Sequence, residues 1–280
     1  MKTKLFLITL LAAIFSLSAK AQFGNDNIRF NGFVRNYTGV LTNEAGDLSI
    51  LQNTFNLNFS SRGDKIAFKV NPYLYHYTDR KLELGLREAY MDMYFNNFDL
   101  RVGKQQIIWG KAEGVFITDV VAPKDLREFL LPDFDEIRLG ITALKLNYYF
   151  GNSTLEAVWT PVFTPTQMPD SGSIWQPRMD FTAPVSFDHS RSDIDPSIEN
   201  SEIYLKFSTM ASGFDYELVG GYFWYDDPAM HITPHLDPHS QQLASLSLMP
   251  EYHRVLMGGG SFSTQVRSFL LRAEGAYYSG

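Results

Sequence analysis

The 280-residue sequence contains no cysteine. That excludes disulfides and thiolate metal sites, and it excludes a lipid-anchored cysteine behind the apolar N-terminal run. Positive charge is also short: 24 Lys and Arg stand against 31 Asp and Glu, a formal net charge of −7. Nucleic-acid binding needs clustered Lys and Arg, so nucleic acid is excluded as a partner. Long apolar runs are missing too. After residue 21 no uncharged segment approaches the roughly 18 residues that a transmembrane helix requires. A chain of this kind enters a membrane only as strands. There is no G-x-x-x-x-G-K-[ST] pattern either, so the glycines at 103, 110 and 114 do not form a phosphate cradle.

What is present begins with a leader. MKTKLFLITLLAAIFSLSAKAQ has Lys2 and Lys4, an apolar run from Leu5 to Leu17, and Ala19-Lys20-Ala21 before Gln22. This is the basic, apolar, A-x-A order of a secretory signal peptide. It predicts a signal over 1–21, cleavage after Ala21 and a mature chain from Gln22. Cleavage removes three of the 24 basic residues and no acid, which takes the net charge to about −10; such a balance says little about fold.

The mature chain alternates. In 50–61, Leu51, Phe55, Leu57 and Phe59 oppose Gln52, Thr54, Asn56, Asn58 and Ser60. In 65–75, Ile66, Phe68, Val70 and Leu74 oppose Lys65, Lys69, Asn71, Tyr73 and Tyr75. Successive side chains point to opposite faces of a strand, so each segment has one apolar and one polar face. About eleven strands follow from this period, near 28–39, 50–61, 65–77, 82–95, 98–109, 137–150, 153–162, 201–209, 214–225, 252–263 and 266–278. A soluble antiparallel sandwich alternates in the same way.

The connections separate the two. Tight links (Arg62-Gly63-Asp64, Asn96-Asn97, Gly151-Asn152, Ala211-Ser212-Gly213, Thr264-Gln265) alternate with the long segments 40–49, 110–136, 163–200 and 226–251; only 78–81 breaks the rule. Short turns at one end and long loops at the other mark an outer-membrane barrel, and the aromatics Tyr148, Tyr149, Phe150, Trp159, Phe223, Trp224 and Tyr225 fit its interfacial girdles. The expected fold is all-β: a transmembrane antiparallel β-barrel over 22–280. Single-chain bacterial barrels have even strand counts, so an odd count with residue 280 at a strand end predicts a barrel lacking its final strands.

Lipid accepts no unpaired backbone groups, so spanning strands close, and charges on the lipid face are costly. The polar parity therefore lines the lumen. On the early strands this places Arg29, Arg35, Lys65 and Lys69 there, followed by Glu88, Asp92, Asp99 and Arg101. Lys145, Glu156, Glu202 and Lys206 come next, then Asp215, Glu217, Arg272 and Glu274. Pro72, Arg87 and Lys104 do not fit; bulges near Gly85 and Gly103, or positions above the bilayer, would accommodate them.

Residues 101–125 carry a resemblance. Arg101-Val102-Gly103-Lys104-Gln105, Trp109-Gly110, Asp119-Val120-Val121 and Pro123-Lys124-Asp125 look like an uncharacterised family of porin-like outer-membrane barrels, akin to the alginate-export and general porins of Gram-negative bacteria. The resemblance implies a solute channel. Characterised members end in a terminal aromatic residue, whereas this chain ends Tyr277-Tyr278-Ser279-Gly280. In this frame Trp109 belongs near the outer interface. The 110–136 segment has too many apolar residues, Val120, Val121 and Phe129 among them, to stay in water. It is expected to fold inward as a constriction. Its acids Glu113, Asp119, Asp125, Glu128, Asp133, Asp135 and Glu136 outweigh Lys111, Lys124 and Arg127, which predicts a mild preference for cations.

Three other groupings are weighed against blander readings. His231, His235 and His239 recur every four residues and would share a helix face, but Pro234 and Pro238 interrupt it, so 226–251 reads as a surface loop without metal. Asp193 and Asp195 lack the glycine and distal Glu of an EF-hand. Asp188-His189-Ser190 supplies triad residue types, but chain neighbours seldom have triad geometry. PKDLREFL (123–130) is compatible with a short helix starting at Pro123. The expectation is a porin-like channel of the bacterial outer membrane, without enzymatic activity or cofactor. Its partners would be membrane lipid and a small hydrophilic solute. A barrel hydrolase and a non-conducting adhesive barrel are the alternatives, and the sequence leaves the solute and oligomeric state open.

Overall fold

The computed structural model describes residues 28–40, 48–77, 81–110, 117–128, 136–169, 173, 175–176, 183–237, 239–240 and 242–280. The expected leader, Glu113, Asp133 and Asp135 lie outside the described residues. The chain divides into two compact units, Met1–Gly85 and Leu86–Gly280.

The first unit is an antiparallel meander of β1 (Ile28–Val40), β2 (Leu48–Arg62) and β3 (Ile66–His76). Its faces are inverted relative to a soluble sheet. Gln52, Thr54 and Asn56 are buried, while Phe30, Val34, Phe59, Ile66 and Phe68 are exposed. Pro72 supplies no N–H, and the β2–β3 register passes from Asn56↔Tyr73 to Phe59↔Val70 with no pair at Pro72. The Asn71 side chain fills the gap, its amide donating to the Leu57 carbonyl and to Asn56 Oδ1. Lys65 lies in the turn before β3 rather than on a strand.

Strand β4 (Leu82–Tyr94) starts in the first unit and runs into the second. There it pairs with β5 (Phe98–Gln105), followed by β6 (Ile141–Phe150) and β7 (Ser153–Thr160). The short β8 (Val185–Phe187) precedes β9 (Glu202–Ala211) and β10 (Phe214–Trp224). Next come β11 (Ala229–Leu236), β12 (Leu243–Glu251), β13 (Arg254–Val266) and β14 (Phe269–Ser279). Within this unit β4-β5-β6-β7-β9-β10-β13-β14 form one antiparallel run, and β11-β12-β8 form a separate small sheet.

Several expectations are corrected. Residues 226–251 are not a loop: β11 and β12 form a hairpin that tolerates Pro234 on β11, whose other side carries no partner strand among the described residues. The last tight turn is Arg267-Ser268 rather than Thr264-Gln265, with Arg267 in the left-handed region at φ 58. β5 stops at Gln105 and β6 starts at Ile141, so both are shorter than the alternation predicts. Among the described residues, 123–128 is not helical: Lys124 bridges Arg138, Asp125 bridges Gln167, and 127–128 form a turn. No bulge is needed at Gly103. The β4–β5 register is continuous from Ala89↔Lys104 to Tyr94↔Asp99, Gly85 makes room for the Tyr73 ring, and Gly103 lies against the Ala89 carbonyl at φ +126. Arg87 pairs with Glu136 at 3.8 Å, and so does not face lipid.

The second unit is also apolar outside. Leu144, Leu146, Leu155, Ile203, Leu205, Leu218 and Leu256 are exposed, whereas the opposite parity (Glu156, Val158 and Thr160 on β7; Glu202 and Tyr204 on β9) is buried. Near the short turns Tyr148, Phe150, Phe207, Tyr216 and Phe214 make a chain of ring contacts 5.8–6.1 Å apart. Tyr149, expected in a girdle, is instead on the inner parity, where its hydroxyl donates to Asp99. An all-β antiparallel sheet with an apolar outer face, a covered polar face and aromatic bands is the outer-membrane barrel type of fold.

The sheet is strongly curled. Six strand spacings of about 4.8 Å would set β5 and β14 about 29 Å apart in a flat sheet. Gly110 lies only five residues beyond the end of β5, at most about 18 Å of chain. Yet a Cβ at Gly110 would stand 3.0 Å from Glu274 Oε1 on β14. Only curvature brings the two together. The concave side holds the main apolar cluster, in which Ile107, Trp109, Val120 and Val121 pack on Ile141, Ala143, Val158, Tyr204, Val219, Phe223 and Met257. Burying each large side chain is worth roughly 1.5–3 kcal/mol, which holds 107–109 and 120–121 against the inner wall.

Candidate functional site

The inner wall of the second unit has two zones. Toward the long connections it is apolar, built from the cluster just described. Toward the short turns it is charged. Asp92 on β4 accepts from Arg101 on β5 at 2.6 and 3.0 Å, and the guanidinium lies 4.0 Å from the Tyr90 ring centre. Glu156 on β7 stands between Lys145 on β6 (3.9 Å) and Lys206 on β9 (3.8 Å). Strand register explains the cluster: Arg101↔Lys145 and Glu156↔Lys206 are direct cross-strand partners, so all four share one face. Further along, Glu217 accepts from the Ser261 hydroxyl at 3.1 Å, and Asp215 shares its parity.

Trp109 joins the zones. It is only 2% exposed, so it is a concave-side anchor and not an interfacial residue. Its indole N–H donates to Glu156 at 2.6 Å, Lys206 Nζ lies 5.2 Å from its ring centre, and its edge meets Tyr204. Phe223, also expected in a girdle, stacks on Tyr204 from the same side.

The segment beyond Trp109 is fastened at both ends. Gly110 adopts φ +87, a region that favours glycine, in close approach to Glu274 and Thr118. Glu274 accepts from the Thr118 hydroxyl at 3.0 Å and from its backbone N–H at 3.3 Å, while the Tyr278 hydroxyl donates to the Ile117 carbonyl at 3.1 Å. Asp119 accepts from the Trp109 backbone N–H (2.9 Å) and from Arg138 (2.6 Å); both carboxylate and guanidinium are almost fully buried. Burial pushes the Asp119 carboxyl up, against the downward pull of the Trp109 N–H, Arg138 and Lys124.

Of the other acids expected at a constriction, Asp125 is neutralised locally by Arg127 at 2.6 Å, and Glu128 is half-buried. Glu88 accepts from the Gln106 backbone N–H, and Glu202, at the far end of β9, from the Trp224 backbone N–H. Arg272 lies opposite Ser263, exposed near the last turn. In the first unit Lys69 is half-buried opposite Ser60, Arg35 lies over the Phe33 and Tyr37 rings, and Arg29 is exposed. Sequence reasoning missed Arg138, Gln105 and Thr118. Gln105 is fully buried and donates to the Ala143 carbonyl. Only the unusual polarity of these residues within an otherwise apolar context could have singled them out.

The remaining groupings do not converge as the sequence allowed. Asp188 accepts from the Ser190 backbone N–H, His189 faces Ser192 at 3.4 Å, and the Ser190 hydroxyl meets the Met249 sulfur. Asp193 and Asp195 are exposed. His231 and His235 sit four residues apart on a strand, about 13 Å, too far to share an ion.

Similarity to solved structures is distant. The V. cholerae outer membrane protein OmpT, in a form with loop L8 deleted, is 11% identical over 90% of this chain and 68% of that one, with a TM-score of 0.46. A mutant of the Rh. blastica porin is 12% identical over 90% of this chain and 94% of that one, with a TM-score of 0.32. No characterised protein matches at the level of sequence. A family profile matches residues 13–280, and the chain accordingly belongs to the family described as "Protein of unknown function (DUF1302)".

Proposed function

We propose that this protein is a porin-like channel of the bacterial outer membrane, passing small hydrophilic solutes by diffusion along the charged inner wall, with 110–136 as its constriction. The observation that carries the reading is the ladder Asp92–Arg101, Lys145–Glu156–Lys206 on the covered face of a sheet whose other face is apolar. Paired charges of both signs hold water and ions without binding either tightly. The 110–136 segment narrows the path because Thr118 fixes it to the wall at Glu274 and the adjoining Trp109 does so at Glu156, while Asp119 ties it to Arg138 just before β6. The acids of this segment that are paired add little field, so the mild cation preference rests on the net charge of −4 over 110–136. At 188–190 the serine hydroxyl meets the Met249 sulfur rather than the imidazole, so these three residues give no support to a hydrolase triad.

Single-channel recording of the mature protein tests this. Open-channel steps, enlarged by deleting 113–133, are the expected result. Absence of conductance would favour an adhesive barrel, and unchanged conductance after the deletion would place the segment outside the path. Fractionation with the outer membrane, with Gln22 as the first residue, is the accompanying expectation.

A further inference from the structure

A second cluster lies away from the inner wall, where the β11–β12 hairpin meets the start of β13. His231 on β11 faces Met249, and Glu251 lies two residues further along β12, so the two side chains are diagonal neighbours on one face. His253 follows Glu251 by two residues. The ligand atoms of His231, Glu251 and His253 all lie within 4.8 Å of one another. His231 Nε2 is 2.9 Å from Glu251 Oε2, and the two imidazoles meet edge to face with ring centres 6.4 Å apart.

We infer that His231, Glu251 and His253 form a binding site for one divalent transition-metal ion of the zinc type. Zinc holds imidazole nitrogens and carboxylate oxygens at about 2.0–2.2 Å, which sets tetrahedral ligand atoms about 3.4 Å apart. The His231–Glu251 distance is already within that spacing, and both imidazoles are exposed and can rotate to close the third. Two nitrogens and one oxygen disfavour calcium and magnesium, which prefer all-oxygen shells. Three protein ligands leave a fourth position open to water or to a solute group.

The site has a built-in competitor. Arg191 Nη1 lies 3.1 Å from the same Glu251 Oε2. A bound ion takes the oxygen from this guanidinium and joins β11 to the corner between β12 and β13. His253 is held there by its carbonyl, which accepts from the Tyr225 backbone N–H at 2.9 Å. Ion binding therefore fixes the small sheet to a strand of the barrel wall and frees the Arg191 guanidinium from Glu251.

Calorimetric titration of the full mature protein in detergent with Zn²⁺, and separately with Ca²⁺, tests the site. The expected result is one Zn²⁺ per chain and no Ca²⁺ heat. His231→Gln or His253→Gln each weakens Zn²⁺ binding by about tenfold or more, as loss of ordered ligation does. Arg191→Gln tightens it, and His235→Gln with His239→Gln leaves it unchanged. All five side chains are exposed, and retained heat-modifiable mobility on gels confirms folding of each variant. Zn²⁺ affinity unaffected by His231→Gln and His253→Gln, or lost with the His235 and His239 pair, would overturn the assignment and leave a histidine–glutamate hydrogen bond only.

Discussion

At the scale of single residues, the buried pair of Asp119 and Arg138 is the most exacting feature. Replacing Asp119 by Asn keeps the shape but removes one negative charge from beside a guanidinium of 6% side-chain exposure. Breaking such a pair costs roughly 3–5 kcal/mol, and urea unfolding in detergent, followed by tryptophan fluorescence, should show a loss of that size. The pH dependence has a definite sign. A carboxyl pushed up by burial binds its proton more tightly in the folded chain than in the unfolded one. Its contribution to stability is therefore largest below the unfolded pKa and declines as pH rises through the folded one. The contact with Arg138, by contrast, weakens on acidification, beginning above the usual carboxylate range. A conductance change titrating there in the wild type and missing in Asp119→Asn is expected; titration only at ordinary carboxylate pH would refute the link. Gly110 makes a second residue-scale test. At φ +87, with Glu274 and Thr118 oxygens 3.0 Å from any added Cβ, Gly110→Ala should cost roughly 1–3 kcal/mol. A neutral result in the same unfolding assay would show that the segment turns elsewhere.

At the scale of elements, Pro72 shows how a strand survives a missing donor. Asn71→Ala removes the amide that serves the Leu57 carbonyl, and an unsatisfied buried acceptor costs about 1–3 kcal/mol. Adding Pro72→Val returns a backbone N–H to the ladder, so the double variant should recover part of the loss; no recovery would mean that the asparagine acts on something other than the ladder. The strands themselves were legible in the sequence because period-2 alternation survives wherever one face meets lipid, as in β2, β6 and β9. The turn at Arg267-Ser268 was not, because Thr264 and Gln265 are as acceptable in a turn as in a strand. β11 was hidden by Pro234 and by exposure on both faces, which leaves no alternation to read. Trp109 was misassigned because a tryptophan at a strand end fits an interfacial band equally well. Only the position of Glu156, a residue 47 places away in sequence, decides which side it faces. The acids of 110–136 were visible as a net charge, but their pairing with Arg138, Arg127 and Arg87 depends on long-range folding that no local pattern encodes.

At the scale of the whole molecule, the defining property is the inversion of inside and outside, and β6 permits a test within three consecutive residues. Leu144 and Leu146 are each 37% exposed on the outer face, while Lys145 between them faces inward toward Glu156. A soluble sheet would treat a lysine at either leucine position as a gain in solubility. A lipid-facing sheet charges roughly 2–4 kcal/mol for it near the bilayer midplane and less toward the interfaces. Leu146→Lys should therefore reduce the folded fraction recovered in the outer membrane and lower the urea midpoint in lipid vesicles. Lys145→Glu has the opposite profile. It leaves the outer face intact, so assembly proceeds, but it sets two carboxylates side by side and leaves Lys206 as the nearer cation. Its signature is electrical: reversal potentials under a salt gradient should shift toward cation selectivity relative to wild type. The pair of variants separates fold from function. Normal assembly of Leu146→Lys in vesicles would overturn the lipid-facing assignment of the outer parity. Unchanged selectivity in a well-folded Lys145→Glu channel would instead leave the barrel standing and remove the charged ladder from the path of the ions.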